Sequence, residues 1–91
     1  MEEYIKNTER ILKALANRRR LAIIKFLKKE KEAPVSDIAD KIKLSFTATS
    51  KHLGVLYAGN IVEREQRSLQ MFYTLPHRLN PIVKYISNSL E

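Results

Sequence analysis

At Asn60 the apolar repeat of this chain changes from about 3.6 residues to two. Four segments with helical spacing precede the change, two alternating segments follow it, and one further helical segment comes after them. The first helix spans about residues 2–16, with Tyr4, Thr8, Ile11, Leu12 and Leu15 on its stripe. Asn17 is suited to cap a second helix at about 18–29, whose apolar face carries Leu21, Ile24, Phe26 and Leu27. Glu32-Ala33-Pro34 reads as a break. A short third helix opens at Val35 or Ser36 and runs to about Ile42. After a tight Lys43-Leu44 turn, Ser45 caps a fourth helix from Phe46 to about Ala58, with Thr49, Leu53 and Leu56 inward. Asn60 suits the left-handed residue that ends it. Residues 61–65 and 70–75 read as strands about the polar turn Gln66-Arg67-Ser68-Leu69, and Pro76 stops the second. Asn80-Pro81 is a cap followed by a first-turn proline, and a fifth helix then runs to about Leu90.

The expected fold is mainly α with a β-hairpin, in the order α-α-α-α-β-β-α. Two short helices about a tight turn form a helix-turn-helix at residues 35–58, and the hairpin at 61–75 adds a wing. No linker, repeat or low-complexity tract divides the chain, so residues 1–91 read as one domain.

Composition removes several classes of function. The absence of cysteine excludes disulfides, thiolate metal sites, thiol switches and cysteine nucleophiles. No apolar run approaches the roughly 18 residues that span a bilayer. The opening Met1-Glu2-Glu3-Tyr4 is acidic and then amphipathic, unlike a secretory signal, so the cytoplasm is the expected compartment. Seventeen Lys and Arg against ten Asp and Glu leave a net charge of +7, which points to nucleic acid or to an anionic membrane. A membrane role is weak, because the first helix carries acids on its polar face and only a modest apolar stripe. No nucleophile–base pair, carboxylate pair, metal constellation or glycine-rich phosphate loop appears, so no enzyme activity, metal or cofactor is expected.

The fourth helix carries the functional signal. Thr47, Ala48, Ser50, Lys51 and Gly54 on its outward face are small, hydrogen-bonding or cationic. No acidic residue occurs between Asp40 and Glu63. A helix meant only for solvent mixes Glu with Lys, because such pairs at i,i+4 stabilise it. One that enters a major groove cannot carry carboxylates toward phosphates and needs short donors near its N-terminus. Thr47, Ala48, Ser50 and Lys51 are therefore candidates for DNA contact, with Phe46 touching a thymine methyl or stapling the helix start. His52, on the same helix, reads as a DNA contact or as surface packing. On the wing, Arg64 and Arg67 are candidates for phosphate or minor-groove contact, or else pair with Glu63 and Glu65. The cations of Arg18-Arg19-Arg20 oppose a helix dipole, so phosphate or one of Glu2, Glu3 and Glu9 should offset them.

A winged helix also serves as a protein-interaction or RNA-binding module, since fold does not fix function. The acid-free helix argues against a pure protein interface. Phe72 and Tyr73 alone make a thin platform for single-stranded RNA.

The terminal helices bear on assembly. Tyr4, Ile11, Leu12 and Leu15 on one, with Leu79, Ile82, Val83 and Ile86 on the other, are more apolar surface than one small core covers. Helices 1–16 and 79–90 are therefore expected to pair two chains into a homodimer.

The segment running from Leu15-Ala16-Asn17 through Arg20-Leu21 to Ile23-Ile24 resembles the opening of the ArsR family of winged-helix repressors. Val35-Ser36-Asp37-Ile38-Ala39 is similar to that family's third helix, and Ser50-Lys51-His52-Leu53 with Val55-Leu56 to its recognition helix. The resemblance covers about residues 8–76 and implies a dimeric repressor of an inverted-repeat operator. Arg18 stands where the family often has proline, Asn60 where it has glycine, and Ser68-Leu69 where the wing tip has Gly-Arg. Many relatives sense metal through third-helix cysteines or through acids and histidines on the last helix. Here the third helix offers Asp37 and Asp40, the last helix only Glu91, and His52 and His77 lie far apart. The resemblance thus places the chain among members controlled by expression level, a partner protein or an unidentified ligand.

Overall fold

Polar side chains start three of the five helices in the computed structural model, which describes residues 1–90; Glu91 lies outside them. Helix α1 covers Glu2–Leu15 and α2 covers Arg18–Glu30. The Asn17 side chain accepts from the backbone N–H groups of Arg19 and Arg20 at 2.9 and 3.1 Å. Helix α3, Val35–Ile42, ends on Lys43 in the left-handed conformation. Helix α4, Phe46–Ala58, begins where Ser45 Oγ accepts from Ala48 N–H at 3.1 Å. Asn60 follows at φ 59°, and Ile61 N–H donates back to Leu56 C=O at 2.9 Å, which closes the helix. Helix α5, Pro81–Ser89, is capped by Asn80.

Three strands, not two, form the sheet. Strand β1 is Glu32–Pro34, β2 is Glu63–Arg67 and β3 is Gln70–Thr74, antiparallel in the order β1-β3-β2. The segment expected as a break therefore pairs with β3, Ala33 opposite Tyr73. Three residues show no alternation to read, and Pro34 is tolerated because β1 is an edge. The turn also tightens. Arg67 pairs with Gln70, so Gln66 and Arg67 belong to β2 and only Ser68-Leu69 forms the loop. Ser68, at φ 57°, takes the strained position that glycine usually fills. Ile61 and Val62, expected in the first strand, instead precede it and are buried in the core.

Helix α2 lies at the centre, in contact with α1, α3, α4 and α5. Its Ile23, Ile24 and Leu27 are fully buried with Ile38, Leu53, Leu56 and Val83. Removing any of these leaves a cavity with a cost of about 2–5 kcal/mol. This burial corrects the expected dimer face. Ile11 and Leu15 of α1 and Val83 of α5 point into the protomer's own core and cannot meet a second chain. Leu79, Ile82 and Ile86 are half-buried against that core. The exposed apolar surface is instead Tyr4 (80%), Ile5 (63%), Leu12 and Tyr85 (73%). Tyr4, Ile5, Thr8, Leu12 and Ala16 line a shallow groove along α1. Helical geometry explains the division: Ile11 and Leu15 lie one turn apart on the inner side, and Ile5 and Leu12 two turns apart on the outer.

Arg19 and Arg20 resolve their own conflict with the α2 dipole. Arg19 Nη1 donates to the C=O of Ile42, at the C-terminus of α3, at 3.1 Å. Arg20 Nε donates to Ala14 C=O and Nη2 to Lys13 C=O, at the C-terminus of α1. These cations satisfy orphan carbonyls at the negative ends of two neighbouring helices. Neither phosphate nor an acidic side chain, the two expected partners, is needed for them. No described helix is long and apolar enough to cross a membrane.

Candidate nucleic-acid interface

The outward face of α4 and the inner face of the wing share one groove. Phe46, Thr47 and Lys51 are exposed on α4, while Ala48, Ser50 and Gly54 are half-buried beside them. Strand register assigns the wing residues to faces. Arg64 and Gln66 pair with Tyr73 and Met71 and share the side turned toward the helices; Glu63, Glu65 and Arg67 lie on the other. Val35, Phe46, Ser50, Gln66, Met71 and Tyr73 line a groove of about 390 Å³ between helices and wing.

The two wing arginines are thereby separated. Arg64 lies over the ring of Tyr57, with its guanidinium carbon 3.8 Å from the centroid. Arg67 crosses the far face of β3 above Phe72. Its Nη2 donates to Glu32 at 3.0 Å and to Glu65 at 2.9 Å, and its Nη1 binds the second Glu32 oxygen. The hydrogen bond from Arg67, aided by its charge and opposed by slight desolvation, holds the Glu32 carboxyl below its usual range. Of the two readings of Arg67, the structure shows the paired one, with Glu65 as expected and with Glu32 in place of Glu63. Arg67 joins β2 to β1 across the sheet, with its charge already matched by two carboxylates.

Of the two readings of His52, the structure shows the packing one. Its Nδ1 lies 3.2 Å from Arg20 Nη1, and the ring is half-buried against α2 instead of free on the outer face. Arginine is always a donor, so Nδ1 accepts and the imidazole is neutral. Burial first, then the charges of Arg20 and Arg19, lower the His52 pKa from 6.5. Protonation therefore opposes folding. Full stability is expected above pH 6.5 and declines as pH falls through that value toward the lower folded-state pKa. Urea unfolding at pH 5 and 7.5 should show this decline, and His52→Gln should reduce it; an identical pH dependence in both chains contradicts the assignment.

Thr49 is fully buried under this surface, and its Oγ1 has no hydrogen-bond partner. An unpaired buried hydroxyl costs about 1–3 kcal/mol, and valine has the same shape. Thr49→Val is expected to stabilise the chain by about 1 kcal/mol in urea unfolding; a loss of stability would reveal a partner for the hydroxyl. Gly54 is the second anomaly. Glycine in a helix interior costs about 1 kcal/mol relative to alanine, yet an added Cβ here would meet nothing within 4 Å.

Of the expected contacts, Phe46 and Ser50 line this groove; Thr47 and Lys51 are exposed on α4 beside it, Ala48 is half-buried there, and Arg64 lies on the helix-facing side of β2. Gln66, which lines the groove, and Tyr57, which carries Arg64 on its ring, are not among the residues expected from the sequence. Strict alternation through Glu63-Arg64-Glu65-Gln66-Arg67 would have placed Arg64 and Gln66 on one face, had the strand been carried two residues further.

Comparison with known proteins bears on the family and the fold. Residues 17–64 match the family model described as bacterial regulatory protein, arsR family. The transcriptional activator HlyU of Vibrio cholerae is 35% identical over 78 residues, which are 82% of this chain and 71% of that protein. A solved structure of V. cholerae HlyU has a TM-score of 0.82 over 99% of this chain and 94% of that one, at 32% identity. The transcriptional repressor PagR of Bacillus anthracis covers 100% of both chains with a TM-score of 0.83 at 26% identity. A homodimeric winged helix-turn-helix DNA-binding domain from Mycobacterium bovis, described as a possible ArsR-family regulator, has a TM-score of 0.80 at 26% identity. It covers 98% of this chain and 76% of that one.

Proposed function

The chain belongs to the arsR family of bacterial regulatory proteins, and from that premise we propose that it is a dimeric, sequence-specific DNA-binding transcription regulator that acts as a repressor. The observation that carries this reading is the exposed face of α4. It presents Thr47, Ser50 and Lys51 with no carboxylate, alongside a wing whose inner face adds Arg64 and Gln66. Such a helix fits the major groove, where hydroxyl and ammonium groups meet base edges and phosphates. Phe46, exposed at the helix start, is placed to meet a thymine methyl.

Two copies joined through the exposed residues of α1 and α5 carry two recognition helices related by a two-fold axis. These would enter successive major grooves roughly 34 Å apart on an inverted repeat. The described homodimer of the M. bovis domain supports that assembly. Repression follows where the operator overlaps a promoter and bound protein excludes RNA polymerase; PagR, described as a repressor, supports that direction.

The test is an anisotropy titration with duplex DNA from the protein's own promoter region, against random duplex, at several salt concentrations. A preference of about a thousandfold or more is the expected result. Equal binding to both duplexes overturns sequence specificity and leaves the reading of a non-specific nucleic-acid or protein-binding module.

A further inference from the structure

We propose that Arg64, shelved on Tyr57 beside the open backbone of Gly54, is a DNA phosphate clamp at the root of the wing, and that this root contact replaces contact by the wing tip. The proposal rests on the DNA-binding reading above. It assigns a positioning role to Tyr57 and a reason for Gly54.

Arg64 has the properties of a prearranged phosphate ligand. Stacking on Tyr57 at 3.8 Å, with the Tyr73 hydroxyl also within reach of the guanidinium, restrains a long side chain whose remaining donors keep their fork geometry. Among the described residues no carboxylate lies within ion-pair distance of it. An unmatched cation held in one geometry is what a phosphodiester requires. Arg67, three residues away, is the contrast, bound by Glu32 and Glu65 on the opposite face.

Gly54 points to the same ligand independently. It lies one helical turn before Tyr57 and one after Lys51. Its φ is not positive and no side chain crowds it, so neither backbone geometry nor internal packing calls for glycine. What remains is close approach from outside the protomer. A phosphate backbone passing between Lys51 and Arg64 would meet cations on both sides and no Cβ beneath. The tip offers no comparable site: Ser68 and Leu69 are uncharged, and Leu69 is 95% exposed.

Because phosphate contacts ignore sequence, the clamp is testable on promoter and random duplexes alike, by anisotropy over a range of salt. Arg64→Ala should weaken binding about tenfold or more at low salt and, because the dimer loses two arginines, reduce the slope of log K against log salt by about 1.8 on both DNAs. Arg67→Ala should leave the slope unchanged. Tyr57→Leu should weaken binding several-fold, and Tyr57→Phe should restore it, since the ring and not the hydroxyl forms the shelf. Gly54→Leu should weaken binding by about tenfold or more, with circular dichroism and the sedimenting mass unchanged. A slope unmoved by Arg64→Ala, or moved equally by Arg67→Ala, overturns the clamp while the DNA-binding reading stands. Loss of the dimer in Gly54→Leu gives that surface to a second copy of the chain and overturns its phosphate role. If the unmodified chain binds neither duplex, both proposals fail together.

Discussion

Replacing Ser50 and Lys51 together with alanine is expected to abolish the preference for promoter DNA, with a loss of about a thousandfold or more in specific affinity. Each well-placed base contact contributes about 1–3 kcal/mol of discrimination. Two per protomer, doubled by the two-fold axis, amount to about 4–12 kcal/mol, which reaches the roughly 4 kcal/mol that a thousandfold preference requires. Residual binding should resemble that to random duplex, because Arg64 and the lysines outside α4 remain. The fold should survive. Alanine is the better helix former, the Ser45 cap on Ala48 is untouched, and neither side chain belongs to the buried core. Circular dichroism and sedimentation should match the parent chain. A double variant that still prefers the promoter duplex places recognition elsewhere on the molecule.

The second large effect is on assembly. Substituting glutamate at both Ile5 and Leu12 is expected to convert the dimer to a monomer and to weaken operator binding about a hundredfold or more. These side chains lie on the outer face of α1 with Tyr4, exposed in the protomer, so the core that Ile11 and Leu15 complete is left intact. Two protomers would set four carboxylates into an apolar contact beside Glu2, Glu3 and Glu9, where desolvation and like charge act together. Operator affinity falls because the second half-site then no longer binds as part of one molecule. Sedimentation equilibrium and the promoter titration measure the two consequences separately. A dimer that persists at micromolar concentration moves the interface away from α1.

These predictions concern residues that the sequence identified unevenly. Ser50 and Lys51 were legible because their environment is local: a capped helix of known start, small residues at helical spacing, and no acid within the segment. The face proposed to pair two chains was half legible. An apolar stripe on α1 was evident, but Ile11 and Leu15 lie within the same turns as Leu12, and period alone does not say which edge of the stripe the core takes. The wing shows the same limit. Arg64 and Arg67 are chemically identical and three residues apart, so they fall on opposite faces once the register is set.

Sequence alone determined what is decided within about one helical turn. Asn17, Ser45 and Asn80 cap because their side chains reach backbone N–H groups two or three residues away, and Asn60 ends α4 because it tolerates a left-handed backbone. The recognition helix and its missing negative charge belong to this class. Tertiary structure decided what depends on residues far apart in the chain. Glu32 neutralises Arg67 from 35 residues away, His52 turns to Arg20 across 32, and β1 exists only because β3 supplies its partner. Such pairings follow from how helices and strands pack, and packing minimises the exposed area and unpaired charge of the whole chain at once. For that reason the helix proposed to face DNA could be singled out from sequence, while the separation of Arg64 from Arg67 required the fold.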